Sequence, residues 1–375
     1  MADSDQFQWL GLLKWSLQYQ DGTRDTEWTE MSEEKKSFLE KVMSEGVVDE
    51  IVRMKQILIQ FLRFLASATS SSAPILEAIA ALEEKNKNKS LPSTTPTEDE
   101  LLDLLDELRD IVEHIDYALT FGQMNGLPFL LSAAGAGNVV PISVRASCLG
   151  LLATCSQNNP RVQDMGLDCG AVEKLPQIYD GEVGLRAKSL QALSAFVRGH
   201  AKNEEKFYGC PDAIRVVREG MKATGAVFRR AVFFLRSLLT DDTAKAENCK
   251  EWEGCIDAVI AHARDSEEVD IREICQGILF GLVNKGGRFA TLIYERAQQI
   301  KDASKCALER SRSDPETKDE CTTWMGIMQA IKLRVEQGGG VGGAAGAGRV
   351  EGEAGAGGAE RETPLMLAAN PNPNE

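Results

Sequence analysis

The feature that most constrains this chain is a period. The runs VRASCLGLLA, LRAKSLQALSAF, RRAVFFLRSLL and IREICQGILFGL lie one beneath another with Arg145, Arg186, Arg230 and Arg272 in register, at intervals of 41, 44 and 42 residues. A second mark keeps the same period: Gly126, Gly170, Gly209 and Gly254 each precede an apolar residue by five positions. Two independent marks on one period of about 42 residues point to helical repeats of the armadillo or HEAT kind, stacked side by side into a solenoid. Each arginine-containing run reads as a long helix. In the first, Val144, Cys148, Leu151, Leu152 and Cys155 form one apolar stripe at helical spacing.

Around this middle the composition changes. The opening FQWLGLLKWSLQYQDGT places Trp9, Leu12, Leu13 and Leu17 at helical spacing before Asp21-Gly22 stops it. Further helices are expected from about Ser32 and after Gly46. Residues 67–96 are rich in Ser, Thr, Lys and Pro and read as a linker around a short helix. Thr97 and Glu100 then form a capping box after Pro96, which starts a helix near Glu98. The expected layout is an N-terminal helical segment over 1–66, the linker over 67–96, a repeat domain over 97–335 and a Gly/Ala-rich tail over 336–375. Within the domain the repeats fall at 108–159, 160–202, 203–243 and 244–286, followed by C-terminal helices. The fold class is all-α: a right-handed armadillo-like α-α superhelix of about four repeats with flanking helical pairs.

The formal net charge of −15 disfavours a nucleic-acid partner. No apolar run approaches the ~18 residues of a membrane helix, so no membrane partner is expected. The nine cysteines include no C-x-x-C pair, and Cys148, Cys155 and Cys275 lie inside apolar helical runs. That is the pattern of reduced core cysteine in a cytosolic protein. The opening MADSDQFQ is not a signal peptide. The expected location is the cytoplasm, with the nucleus also open. His114, His200 and His262 stand on separate helical runs, and no nucleophile, phosphate-loop or dinucleotide motif occurs. An enzyme is therefore not expected, and neither is a cofactor or a metal.

The first repeat ends in Gln-Asn-Asn-Pro, where a glycine would be the commoner stop. Two readings stand open. The amides line the edge of a binding groove, or Asn158 and Asn159 cap the helix that Pro160 begins.

Several ordered motifs together resemble one family. ELLDLLDELRDIVEHIDYALTFGQMNGLPFLL, CSQNNPRVQ, LRAKSLQALSAFVR and RRAVFFLRSLL are similar to the armadillo-type nucleotide exchange factors of seventy-kilodalton heat-shock chaperones. This is the family of the heat-shock-70-binding protein and the Fes-one protein. The resemblance covers roughly 7–65 and 97–335; the stretch ATSSSAPILEAIAALEEKNKNKSLPSTTP and the Gly/Ala tail depart from it. It implies a concave surface that grips the ATPase domain of a cytosolic heat-shock protein 70, opens it and accelerates ADP release, promoting client release. It also implies a monomer. Carried over residue by residue, Ala118 matches a small position at the start of the array and Arg230 a basic position in the third repeat. Asn158, Arg186, Lys188 and Arg236 join them from their expected place on groove-facing helices. The aligned arginines equally suit a role in holding repeat to repeat. The segment 7–22, with Trp9, Leu13, Lys14 and Leu17, resembles the family's client-mimicking opening, implied to reach the chaperone's peptide-binding domain; an amphipathic helix docked on its own domain fits it equally. The alternative function is an armadillo scaffold or adaptor that binds a globular or peptide partner without exchange. Peptide-binding grooves of that kind use tryptophan and asparagine on successive third helices. Here the tryptophans stand at 9, 15, 28, 252 and 324, outside the four aligned runs.

Overall fold

The computed structural model describes residues 49–69, 94–240, 243–313 and 317–338, with a few isolated positions besides. The described residues are helix and turn throughout. Helix α1 (Glu50–Ala68) is capped by Asp49, whose side chain accepts from the amides of Ile51 and Val52. Helix α2 (Glu98–Val112) starts on the Thr97/Glu100 capping box, with both reciprocal bonds formed.

From there the chain runs in triplets. The first is α3 (Ile115–Gln123), α4 (Gly126–Gly135) and α5 (Ile142–Ser156). The second is α6 (Pro160–Asp168), α7 (Ala171–Gly181) and α8 (Arg186–Val197), with a 3-10 turn at Val183–Leu185 leading into α8. The third is α9 (Ala201–Tyr208), α10 (Pro211–Gly220) and α11 (Gly225–Thr240). The fourth is α12 (Thr243–Asn248), α13 (Glu253–Asp265) and α14 (Val269–Lys285). A fifth, α15 (Gly287–Glu295), α16 (Ala297–Ser313) and α17 (Lys318–Gly338), closes the array. The C-terminal helices expected after the fourth repeat thus form a triplet of their own. The compact unit holding these helices ends at Ile331, inside α17. The fold is all-α and armadillo-like.

The third helices are the spine. α2, α5, α8, α11 and α14 pack each on the next, so α5, α8 and α11 are flanked on both sides. Six positions are buried in all four triplets. In triplet order they are Cys148, Ser189, Ala231 and Cys275; Leu149, Leu190, Val232 and Gln276; and Leu151, Ala192, Phe234 and Ile278. The other three are Leu152, Leu193, Leu235 and Leu279; Cys155, Phe196, Leu238 and Leu282; and Ser156, Val197, Leu239 and Val283. A helix buried on several sides must be apolar around most of its circumference, and α5 is. Burial pushes the thiols of Cys148, Cys155 and Cys275 up to about 12, which keeps them un-ionised and inert.

This ladder corrects the arginine register. It places Arg145, Arg186 and Arg272 in line, but the third-triplet residue at their position is the buried Phe228. Phe228 stacks on His262, with ring centroids 3.6 Å apart. Arg230 lies two residues farther on and aligns instead with Lys188. Six buried side chains set the register, and one shared residue type cannot outweigh them.

The aligned arginines hold the array together. Arg145 Nε donates to the Ala134 carbonyl at the end of α4, 2.7 Å away. Arg186 lies over the Tyr179 ring of α7, 5.0 Å from its centroid. Arg272 donates to the carbonyls of Ser266 and Glu267 at 2.8 and 3.1 Å and pairs with Glu320 of α17 at 2.5 Å. Side-chain amides do the same for helix ends. Gln163 Nε2 donates to the Ala195 carbonyl at 2.9 Å, and Asn203 Nδ2 to the Phe196 carbonyl at 2.7 Å. These are final-turn acceptors of α8 without a partner in their own helix.

The glycine mark locates the entry to each second helix. Gly170 precedes α7 at φ +73, a left-handed conformation that a side chain disfavours. Closer packing fixes Gly166: a Cβ there would lie 2.1 Å from Phe196 Cε1, so α6 meets α8 without room for a methyl group.

The Arg272–Glu320 pair is 4% and 2% exposed and is joined by Arg310, which reaches Glu320 Oε2 at 3.2 Å. Burial works to raise the Glu320 pKa, but bonds and charge from Arg272 and Arg310 outweigh it and hold the carboxyl below its ordinary value. A lowered carboxyl pKa contributes stability above the unfolded-state pKa, and this is lost as pH falls through the folded value. Glu320→Ala leaves Arg272 buried without its carboxylate, a change that costs about 3–5 kcal/mol. In a stack of nearest neighbours the loss stays local. Hydrogen exchange is expected to show α17 deprotected in the variant while α5 keeps its protection. The wild type should reproduce that pattern as pH falls below the carboxylate range.

Candidate partner-binding face

The buried ladder settles which face of each third helix points away from the core; on α5 that face is itself covered, with Ser147, Gly150 and Ala153 buried, as is Ser194 on α8. One step from the core lie Ser147, Lys188, Arg230 and Ile274 in the four triplets. Next come Gly150, Gln191, Phe233 and Gly277, then Ala153, Ser194, Arg236 and Phe280, then Gln157, Arg198, Thr240 and Asn284. Lys188, Arg230 and Arg236 are exposed. Arg109 of α2 joins them: its Nη2 donates to Ser147 Oγ at 3.2 Å, and its Nη1 meets Asp106 at 2.8 Å.

Two cations from different helices converge over Gly150: a Cβ there would lie 3.7 Å from Arg109 Nη2 and 3.9 Å from Lys188 Nζ, ordinary contact distances. Burial first, then the charges of Arg230 and Arg109, push the Lys188 ammonium below its ordinary pKa. Burial, then the neighbouring Arg229, does the same to Arg230. Among the described residues neither Lys188 nor Arg230 makes an ion pair. Arg229 is different, because it turns aside to pair with Glu268. A protein with formal net charge −15 thus keeps on this face, among the described residues, two cations without an ion-pair partner.

The face changes character along the array. Phe233, Phe280 and Met325 are exposed at 41%, 40% and 64%. The Arg198 guanidinium lies over the Phe233 ring, 4.6 Å from its centroid. Beside it opens a small hollow of about 150 Å³, lined by Gln157, Gln191, Ser194, Arg198, Arg230 and Phe233.

Other residues singled out from the sequence lie elsewhere. Ala118 is 1% exposed in the core of α3, so its smallness serves packing between helices and not contact with a partner. Arg186 is occupied by Tyr179, on the side of α8 facing α7. Gln-Asn-Asn divides its labour. Gln157 is exposed and lines the hollow. Asn158 is exposed and takes φ 54, the left-handed role a glycine commonly fills. Asn159 is buried: its Oδ1 accepts from Val162 N at 3.4 Å, and its Nδ2 donates to the Ile115 carbonyl at 3.2 Å. Trp9, Leu13, Lys14 and Leu17 lie outside the described residues. Sequence reasoning missed Arg109, Gln191, Ser194, Arg198 and Phe233. All but Arg109 become visible once the ladder replaces the arginine alignment.

No family model matches the chain. By sequence it is similar to Hsp70-binding protein 1 of Rattus norvegicus, 28% identical over 218 residues, 56% of this chain and 54% of that protein. It is 27% identical over 218 residues to Hsp70-binding protein 1 of Homo sapiens. The chain spans about half the length of the curated relatives it matches. The resemblance carried by the sequence motifs is therefore to proteins of that name. Among solved structures it is similar in fold to a crystal structure of an engineered protein, with a TM-score of 0.51, 14% identity, and coverage of 64% of this chain and 95% of that one. A designed armadillo repeat protein gives a TM-score of 0.49 at 14% identity, covering 64% of this chain and 96% of that one.

Unbalanced cations should cost the free protein stability. The lowered Lys188 pKa has that sign: the folded state holds this proton less firmly than the unfolded chain, so stability rises as pH approaches the ordinary lysine value. Lys188→Gln is expected to raise the melting temperature by ~1–2 °C at low salt. The gain should vanish at high salt, where the repulsion is screened. Differential scanning calorimetry at two salt concentrations checks it.

Proposed function

We propose that this protein is a co-chaperone that grips the ATPase domain of a cytosolic heat-shock protein 70 and accelerates ADP release. The observation that carries the reading is the convergence of Arg109 and Lys188 over Gly150, with Arg230 beside Lys188, on an otherwise acidic molecule. Similarity to proteins named Hsp70-binding protein 1 supplies the partner. Such a face suits an acidic, folded surface. Capture of an extended peptide fits it less well, because the outward third-helix positions carry Gly150, Gln191, Phe233 and Gly277, without a ladder of tryptophan and asparagine.

Exchange then follows from linkage. A partner that binds the open, nucleotide-free ATPase domain more tightly than the ADP-bound one must weaken ADP binding by the same factor. A thousandfold effect needs about 4 kcal/mol of differential affinity. An interface of ordinary size is enough to supply it. The protein acts as a cytoplasmic monomer in this scheme, and contact of residues 7–22 with the peptide-binding domain belongs to the same proposal on sequence grounds.

Stopped-flow release of a fluorescent ADP analogue from a cytosolic heat-shock protein 70 tests this directly. Addition of the chain is expected to speed release, and Arg230→Ala to cut the acceleration about tenfold at sub-saturating concentration, the worth of ~1.4 kcal/mol. Binding without acceleration would leave a scaffold in place of an exchange factor. Absence of binding would overturn the reading.

A further inference from the structure

The hollow between α5, α8 and α11 has chemistry of its own. Ser194 is 5% exposed, and its Oγ is buried without a hydrogen-bond partner. A buried helical hydroxyl ordinarily bonds the carbonyl one turn back. Two hydroxyls of neighbouring α5 do so: Thr154 donates to Gly150 at 3.2 Å and Ser156 to Leu152 at 2.8 Å. Ser194 does not, although it occupies a comparable helix. Gln191, one turn earlier, also leaves its Oε1 buried without a partner. An unmet buried polar group costs about 1–3 kcal/mol, so two of them on one hollow call for a ligand group.

Size and charge narrow the choice. A pocket for a nucleotide or cofactor encloses roughly 300–1,000 Å³, against about 150 Å³ here. The hollow is therefore too small for such a molecule and suits one side chain. Its rim carries the Arg230 and Arg198 guanidiniums, which favour an anion. The Gln191 amide can present either its oxygen or its nitrogen, since a rotation of its terminal group exchanges them. With the nitrogen inward, Ser194, Gln191 and Arg230 all offer donors, the complement of an acceptor-only carboxylate.

We propose that this hollow is a socket for a single Asp or Glu side chain projecting from the partner protein's surface, bound by Ser194 and Gln191 from below and by Arg230 at the rim. The identity of the partner rests on the proposed function; the chemistry of the socket does not.

Gln191→Glu tests it by supplying the carboxylate from within. The new side chain sits beside Arg230 and Arg198, so the variant should melt at the same or a higher temperature than wild type. It should bind the ATPase domain of a cytosolic heat-shock protein 70 at least tenfold more weakly by isothermal titration calorimetry. Should Gln191→Glu fail to fold, Ser194→Val, which removes the hydroxyl at nearly constant size, takes its place with an expected three- to tenfold loss. Unchanged affinity in the folded variant overturns the socket and leaves the proposed function standing. If the wild-type chain does not bind the chaperone, the proposed function fails and a second measurement decides the socket. Sodium acetate is titrated at constant ionic strength against sodium chloride while the Nε–H resonance of Arg230 is followed. A saturating shift in wild type that is absent in Gln191→Glu upholds the socket, and no saturation overturns it.

Discussion

Everything in this structure depends on each third helix being packed between the ones before and after it. α5, α8 and α11 are buried on two opposite flanks as well as against their own triplets, so little of each is left to meet solvent. That strip is the candidate site. Its residues follow from the ladder of buried neighbours, because the six positions fixed inward set the rotation of each helix and hence which residues lie on the opposite side. Stability in such an array is a sum of neighbour terms. Its last interface therefore needs a local device, which the buried Arg272–Glu320–Arg310 cluster provides.

The same constraint explains how cations accumulate on one face of an acidic protein. Elsewhere arginines are engaged: Arg53 with Glu107, Arg215 with Asp180, Arg296 with Asp257. On the third-helix strip Lys188 and Arg230 stand without such partners among the described residues, and partial burial together with the charges of Arg230 and Arg109 pushes the Lys188 proton affinity down. A fold selected for stability alone would place a carboxylate there. Leaving the charge unmet, and leaving Ser194 and Gln191 unmet beside it, fits a surface whose partner supplies the missing groups.

Much of the fold was legible in the sequence for identifiable reasons. The Thr97/Glu100 capping box is a local signal and appears as a capping box. The 42-residue period survives because every triplet must present the same buried face to its neighbours. The Gln-Asn-Asn turn was half legible: amides after an apolar helix signal a stop, but which one caps and which one faces out is decided by backbone angles. The arginine alignment went astray in the third repeat because two adjacent arginines there offered a match that the core did not honour. Phe228, not Arg230, fills that position. Arg109 carried no signal at all, since its helix precedes the first triplet and only folding brings it over Gly150.

By itself, then, the sequence determined the helical class, the period, the reduced buried cysteines and the family resemblance, because each of these follows from residue type and spacing along one chain. The tertiary structure decided the register of the third repeat and the burial of Ala118. It also turned Arg186 onto Tyr179 and brought Arg109, Lys188 and Arg230 together from separate helices. Those outcomes depend on which side chains fill the space between neighbouring helices, a packing condition on residues some forty positions apart that no local pattern encodes.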